Sequence, residues 1–220
     1  MNNISILLIG PSGAGKGTQA KLLADKYGLK HLQSGELLRN MVAKDDEFGR
    51  MVKEAMQKGF VPSEWIFQMM EEEFSKLGDS GVIIDGFYRK LSEAKMLYDV
   101  FEKKNRKIDF VFLINMEEEK VVERLMNRRI CRGCKQVFDA RSVSDKCPSC
   151  GGEIYTREDD NLDSIKGRLR DYRIETFPSI EYIRQKNRII EIDGDQSVED
   201  VFRDICRSID KEGKNLMNQS

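Results

Sequence analysis

Residues 4–9, ISILLI, form an almost wholly apolar run that meets Gly10 and passes at once into PSGAGKGTQ. This junction constrains the fold more than any other feature. A short β-branched apolar run reads as a parallel strand buried on both faces. The glycine spacing Gly10-x4-Gly15-Lys16 then places a flexible turn between that strand and a helix over residues 16–27, closed by Gly28. In such a turn the backbone N–H groups can face inward around an anion, and the helix N-terminus adds positive potential. Lys16 stands where its ammonium would reach a chain of phosphates. A glycine turn of purely structural use would need neither the lysine nor the strand-to-helix setting. The strict pattern has Ser or Thr directly after the lysine; here Gly17 intervenes and Thr18 follows, so the usual magnesium-binding hydroxyl is not in its usual place.

The same alternation continues along the chain. Residues 82–85, 110–115 and 188–193 read as further buried strands, and residues 91–105, 117–129 and 198–211 as amphipathic helices. Ser197 and Asp200 make a capping box for the last of these, and the tail beyond Lys211 reads as disordered. Strands alternating with helices predict an α/β fold, a parallel sheet covered by helices on both faces. Two stretches break the pattern. Residues 33–62 are helical without a strand, and residues 127–160 lack apolar periodicity. Both read as lobes inserted into a core made of residues 1–32, 63–126 and 161–220.

A length of 220 residues fits one large domain with such insertions. With 37 Lys and Arg against 38 Asp and Glu, the net charge is −1, and no broad basic footprint for nucleic acid exists. No stretch approaches the roughly 20 apolar residues that cross a bilayer. The run at 4–9 is too short for a signal-peptide core and lacks a basic segment before it. The expectation is a cytoplasmic protein without nucleic-acid or membrane partners. In a reducing compartment, paired Cys-x-x-Cys binds metal rather than forming disulfides. Cys131, Cys134, Cys147 and Cys150 form two such pairs with twelve residues between them, the ligand set of a closed tetrahedral structural zinc site. Iron fits the same ligands, but zinc needs no redox role. The only histidine, His31, is far away in sequence. Cys206, on a helix, reads as core.

"GPSGAGKGTQAKLL" closely resembles the opening of the adenylate kinase family of nucleoside monophosphate kinases, in which Gly-Lys-Gly-Thr is habitual. Six further ordered matches follow: "QSGELLR" (33–39), "IIDGFYR" (83–89), "ERLMNRR" (123–129), "YTREDDN" (155–161), "GRLRDY" (167–172) and "IDGDQS" (192–197). The resemblance implies phosphoryl transfer between ATP and a nucleoside monophosphate by a monomer, with magnesium carried by ATP. It implies that Lys16, Arg89, Arg128, Arg157, Arg168 and Asp85 serve catalysis, with Asp85 organising magnesium through water and Asp159 assisting. It places ATP against Gly13, Ala14, Gly15, Lys16, Gly17, Thr18, Arg124, Arg128, Phe138 and Gln196. The monophosphate would meet Ser34, Gly35, Arg39, Val61, Gly86, Arg89, Glu93, Arg157 and Arg168. Arg124 and Arg128, four apart, would share one face of the 117–129 helix. The cysteine clip would lie inside the mobile lid that closes over ATP, where metal replaces the apolar core that a lid of about 34 residues cannot build.

Chemistry supports this independently of the resemblance. Phosphoryl transfer needs in-line positioning, neutralised charge and excluded water, which arginines and magnesium supply. The chain departs from the family pattern in "GFYRKLSEA" (86–94): Tyr88 replaces a usual proline, Lys90 a threonine, and Glu93 a base-reading glutamine. An ionised Glu93 has acceptors only, which suits guanine's two donors better than adenine's donor–acceptor edge. AMP is the expected acceptor, with GMP the alternative and a Glu93→Gln gain for AMP the expected consequence. A P-loop switch ATPase is disfavoured by Gly17, and a zinc-ribbon nucleic-acid binder by the acids around the cysteines.

Overall fold

The computed structural model describes residues 4–44, 46–58 and 61–217. Of the spans expected above, residues 1–3, 45, 59, 60 and 218–220 lie outside the described residues. β1 (Ser5–Ile9) is the middle strand of five, between β3 (Val82–Asp85) and β4 (Phe110–Asn115). β2 (Lys30–Gln33) flanks β3 and β8 (Ile189–Asp193) flanks β4, and every pairing is parallel. All five residues of β1 are buried, as a strand covered on both faces requires.

Alternation along β1 divides the core. Ile6 and Leu8 join Ile83, Phe112 and Ile114 on one face. They pack there against Ala20 and Leu23 of α1 (Lys16–Tyr27) and Val201, Ile205 and Cys206 of α9 (Val198–Met217). Leu7 and Ile9 join Ile84, Val111 and Leu113 on the other. That face is covered by α4 (Ser63–Ser75), α5 (Leu91–Lys103) and α8 (Phe177–Lys186), through Met70, Leu97 and Ile183 among others. Burying each such side chain contributes about 1.5–3 kcal/mol. The expected sheet with helices on both faces is the fold observed, and Cys206 is core as expected.

β2 escapes sequence reading because it is an edge strand. Only Leu32 of "KHLQ" is buried, so no apolar run marks it; pairing with β3 makes it a strand. Between β2 and α4 lie α2 (Ser34–Val42) and α3 (Glu47–Gln57), helical as expected. Their Leu38 and Val52 enter the same apolar cluster as Leu7.

The helix expected over 117–129 is shorter. α6 (Glu118–Met126) ends at Asn127, whose side-chain amide donates to the Glu123 carbonyl at 3.0 Å. Asn127's own carbonyl accepts from the Ala140 N–H at 2.7 Å. Arg128 instead opens β5 (Arg128–Cys131), paired antiparallel with β6 (Val137–Asp139) and β7 (Ile154–Tyr155). Arg124 and Arg128 therefore do not share a helix face; a cross-strand partner 11 residues away, Asp139, outweighs local helical spacing. α6 packs on α7 (Leu162–Asp171) through Val121, Leu125, Ile165 and Leu169. At α9, the Asp200 N–H donates to Ser197 Oγ at 3.1 Å, the expected N-cap. The helix continues to Met217, past the point where a disordered tail was expected.

Gly10 is where the strand and the turn meet most tightly. Its φ is 139°, and a Cβ there would lie 2.4 Å from the Ile114 carbonyl oxygen. Gly10→Ala is expected to lower stability by about 3 kcal/mol, summing backbone strain and overpacking. A urea titration within about 0.5 kcal/mol of wild type would show that β4 gives way freely.

Candidate active site

The turn after β1 brings Gly15, with φ 94°, to the N-cap of α1. Gly13 lies against Leu125, with room for no side chain: a Cβ would sit 2.9 Å from Leu125 Cγ. Ala14 is buried on the α1–α9 face, and Thr18 is half-buried on α1. Lys16 folds back over the turn, and its Nζ donates to the carbonyls of Gly10 and Pro11, both at 2.8 Å. Lys16 is half-buried, with its ammonium engaged by these two carbonyls. Burial pulls its pKa down to about 8; Asp85 opposes this, while Arg89 and Arg128 add to it. Lys16, Asp85, Arg89 and Arg128 thus share one electrostatic neighbourhood.

Sheet register delivers Asp85. It ends β3 level with Leu8 of β1 and with Gln33 of β2. Gln33 Nε2 donates to Asp85 Oδ2 at 2.6 Å, and Gln33 Oε1 accepts from Arg39 Nη2 at 3.3 Å. His31 Nε2 lies 3.8 Å from the same Oδ2. Burial pushes the Asp85 carboxyl up, but His31, Lys16 and Gln33 together hold it below the ordinary carboxylate value. Gly17 faces this pair: a Cβ there would lie 3.0 Å from Gln33 Nε2 and 3.5 Å from Asp85 Oδ2. The position after the lysine is glycine because an acid and an amide from the neighbouring strands occupy the space of its side chain.

The arginines converge from other elements. Arg39, from α2, has its pKa lowered by burial and by Arg157. Arg157 is lowered by burial and by Arg128, and its Nε is enclosed without a hydrogen-bond partner among the described residues. Arg128 thus depresses Arg157, and Arg157 depresses Arg39. Such a chain of guanidinium groups, one with an orphaned buried donor, is chemically matched to an anion among them. Arg128 makes a two-pronged pair with Asp160, 2.7 Å from Nε and 2.5 Å from Nη2. Arg168 reaches Asp160 Oδ1 at 3.3 Å and the Asp159 carbonyl at 2.5 Å. Asp160, with a fully buried side chain, is therefore the acid that sets Arg128 beside Arg168. Its neighbour Asp159, expected to assist with magnesium, lies with a carboxylate oxygen 3.4 Å from Arg168 Nη1; no local pattern in the sequence marks Asp160 as the buried arginine partner.

The turn 85–90 carries Arg89 out of the sheet. Phe87 holds φ 62° and is buried, Tyr88 donates its hydroxyl to the Gly10 carbonyl at 3.3 Å, and Arg89 is exposed. Gly86 sits against Ser34, with space for no Cβ between them, and Gly35 against the Arg39 guanidinium. Glu93, only 5% exposed, accepts the Arg89 N–H on Oε2 at 2.8 Å, and burial raises its pKa. One of its oxygens is thus engaged in capping α5. The carboxylate also lines a narrow crevice with Ser63, Ile66, Phe67, Met70 and Phe87, and Val61 packs on the same cluster. Arg124 and Gln196 meet separately, Arg124 Nη2 donating to the Gln196 carbonyl at 3.4 Å. Phe138 lies in β6 opposite Arg129.

The four cysteines come together as a second centre. Their sulfurs all lie within 4.8 Å of one another, with Cys131–Cys150 at 3.4 Å and Cys134–Cys147 at 3.7 Å. Tetrahedral thiolate coordination at about 2.3 Å places sulfurs about 3.8 Å apart. Each Cys-x-x-Cys turn ends on a left-handed residue, Lys135 at φ 60° and Gly151 at φ 71°. Backbone N–H groups of Gln136 and Gly152 then face the sulfurs of Cys134 and Cys150. This cluster is built to hold a metal ion.

Comparisons with known proteins agree with this geometry. The sequence model of the adenylate kinase family matches residues 8–188. The chain is 38% identical over 214 residues to the adenylate kinase of Archaeoglobus fulgidus, covering 94% of this chain and 99% of that protein. It is 38% identical over 211 residues to the adenylate kinase of Elusimicrobium minutum, covering 94% and 98%. The adenylate kinase of Petrotoga mobilis is likewise 38% identical over 214 residues, covering 94% and 99%.

Lys16 gives the site a measurable signature. Its folded pKa of about 8 lies below the ordinary 10.5, so between those values the unfolded chain binds more protons than the folded one. Stability contributed by this site therefore rises with pH across that window. Measured by urea titration, wild type should gain stability relative to Lys16→Met between pH 8 and pH 10. A pH-independent difference would mean that the ammonium is not enclosed.

Proposed function

Since the chain belongs to the adenylate kinase family, we propose that it transfers the terminal phosphoryl group of ATP to AMP, giving two ADP. The observation that carries this reading is the convergence of Lys16, Arg89, Arg128 and Asp85 on the head of α1. Backbone amides of residues 13–18 would cradle the ATP phosphates, with Lys16 leaving the Gly10 and Pro11 carbonyls to meet them. Arg39 and Arg89 would grip the monophosphate. Arg128, Arg157 and Arg168 would neutralise charge on the group in transfer, a contribution on the order of 10²–10³ in rate per well-placed donor. Arg124, Phe138 and Gln196 would border the ATP base, and Ser34, Gly35, Val61, Gly86 and the crevice at Glu93 the AMP side. ATP brings magnesium; Asp85, held ionised beside Gly17 and Lys16, fits the role of orienting it through water.

The GMP alternative is not favoured: Glu93 Oε2 is taken by the Arg89 N–H, and the relatives reported above are named adenylate kinases. We take residues 33–62 and 127–160 as the lobes that close over the two nucleotides and exclude water. The cysteine cluster in the second would hold zinc, which has no redox chemistry and favours four thiolates in this geometry. No helix among the described residues is long and apolar enough to cross a membrane; a cytoplasmic monomer is the reading that fits.

Two measurements test this. In a coupled assay of ADP formation from ATP, AMP should outpace GMP, CMP, UMP and dTMP by at least about 10²-fold, as hydrogen-bonded base recognition allows; comparable rates with GMP would refute the assignment. Elemental analysis should find one zinc per chain. Cys147→Ala should lower Tm while leaving a folded core, because only the metal's local share of roughly 10–16 kcal/mol is lost. An unchanged Tm would exclude a structural metal.

A further inference from the structure

Arg89 has an exposed side chain, and no hydrogen bond ties its guanidinium down among the described residues. Its peptide, by contrast, is held on both sides. The N–H donates to Glu93 Oε2 at 2.8 Å, and the carbonyl accepts from Thr176 Oγ1 at 3.0 Å. Thr176 comes from 87 residues away and is 5% exposed, although Ile174, Glu175, Phe177 and Pro178 around it are all exposed.

What turns this one residue inward is a π-turn, Tyr172–Thr176, between α7 and α8. Its cause is Pro178, which lacks the N–H that an α-helix would direct at Ile174 and whose ring crowds that carbonyl. The chain widens by one residue, and the Phe177 N–H bonds to the Tyr172 carbonyl five residues back. A threonine inside a regular helix returns its hydroxyl to its own preceding turn. Thr176 sends it to Arg89 instead.

We propose that Thr176 is a positioning residue for AMP binding: its hydroxyl, opposed by Glu93, fixes the Arg89 peptide and so aims the guanidinium at the monophosphate. The proposal rests on Arg89 being a monophosphate arm. The held segment begins beside Phe87 in a left-handed conformation that a phenylalanine leaves readily unless restrained. Without the hydroxyl, the Arg89 carbonyl loses its partner in a part-buried setting, and Arg89 spreads over several directions.

The test compares Thr176→Val, Thr176→Ser and Arg89→Ala in the full chain, with KM for AMP and for ATP and kcat measured separately. Thr176→Val should raise the AMP KM about tenfold, the scale of losing one hydrogen bond in a part-buried setting, with the ATP KM within about twofold of wild type. Thr176→Ser, which keeps the hydroxyl, should restore the AMP KM. Should Val fail to fold, Thr176→Ala removes the same hydroxyl without crowding and reads the same constant. If Arg89→Ala weakens AMP but removal of the Thr176 hydroxyl does not, or if both substrates weaken equally, Thr176 does not position Arg89. If Arg89→Ala itself leaves the AMP KM unchanged, the reading of Arg89 is wrong and the proposal falls with it.

Discussion

The register of the parallel sheet is the constraint on which the rest depends. Asp85, the last residue of β3, stands level with Gln33, the last residue of β2, and with Leu8 of β1, one residue before that strand ends. The two polar side chains therefore meet beside the turn that follows β1. That turn opens there because Gly10 can pass beneath the Ile114 carbonyl. Shift β3 by one residue and Asp85 would turn to the opposite face, away from Lys16 and from the gap left by Gly17. The apolar division of β1 between two helical layers forbids that shift, since every slipped residue would exchange one core for the other. The chemistry at the strand ends is held in place by packing within the strands.

The site itself works against folding. Lys16, Arg39 and Arg157 are all displaced downward in pKa, by burial first and then by neighbouring arginines: Arg89 and Arg128 beside Lys16, Arg157 beside Arg39, and Arg128 beside Arg157. Positive groups gathered without enough acid cost stability, a cost that an anion placed among them would relieve. Asp160 limits the penalty by pairing with Arg128 while touching Arg168, so two cations are placed by one buried carboxylate. Losing such an acid is costly because it strands both partners.

Regions with little core of their own are held by other means. Around residues 127–160 the sheet is three short strands, and four convergent sulfurs supply the fixed point. The turn 85–90 carries a left-handed phenylalanine; Glu93 and Thr176 hold its Arg89 peptide from two other elements, and its own Tyr88 ties it to the Gly10 carbonyl. In both places the backbone is irregular because function needs it there, and side chains from a distance keep it in one form.

Much of this was legible in the chain itself. The run at 4–9, the strands at 82–85 and 110–115, the glycine turn with Lys16 and the spacing of the four cysteines are local patterns, and local patterns report burial on two faces, turn freedom and ligand count. Tertiary structure decided what local pattern cannot carry. β2 is a strand because β3 pairs with it, although "KHLQ" has no strand periodicity. Arg128 leaves the α6 face because Asp139 pairs with it across β5 and β6. Asp160 is buried between Arg128 and Arg168 while Asp159 stays exposed beside Arg168, since which of two adjacent acids points inward depends on the packing of the whole turn. Glu93 caps a helix rather than standing free, and Thr176 faces Arg89 only because Pro178 widens the helix. Each of these outcomes depends on a partner distant in sequence or on the direction of a side chain, and residue type alone encodes neither.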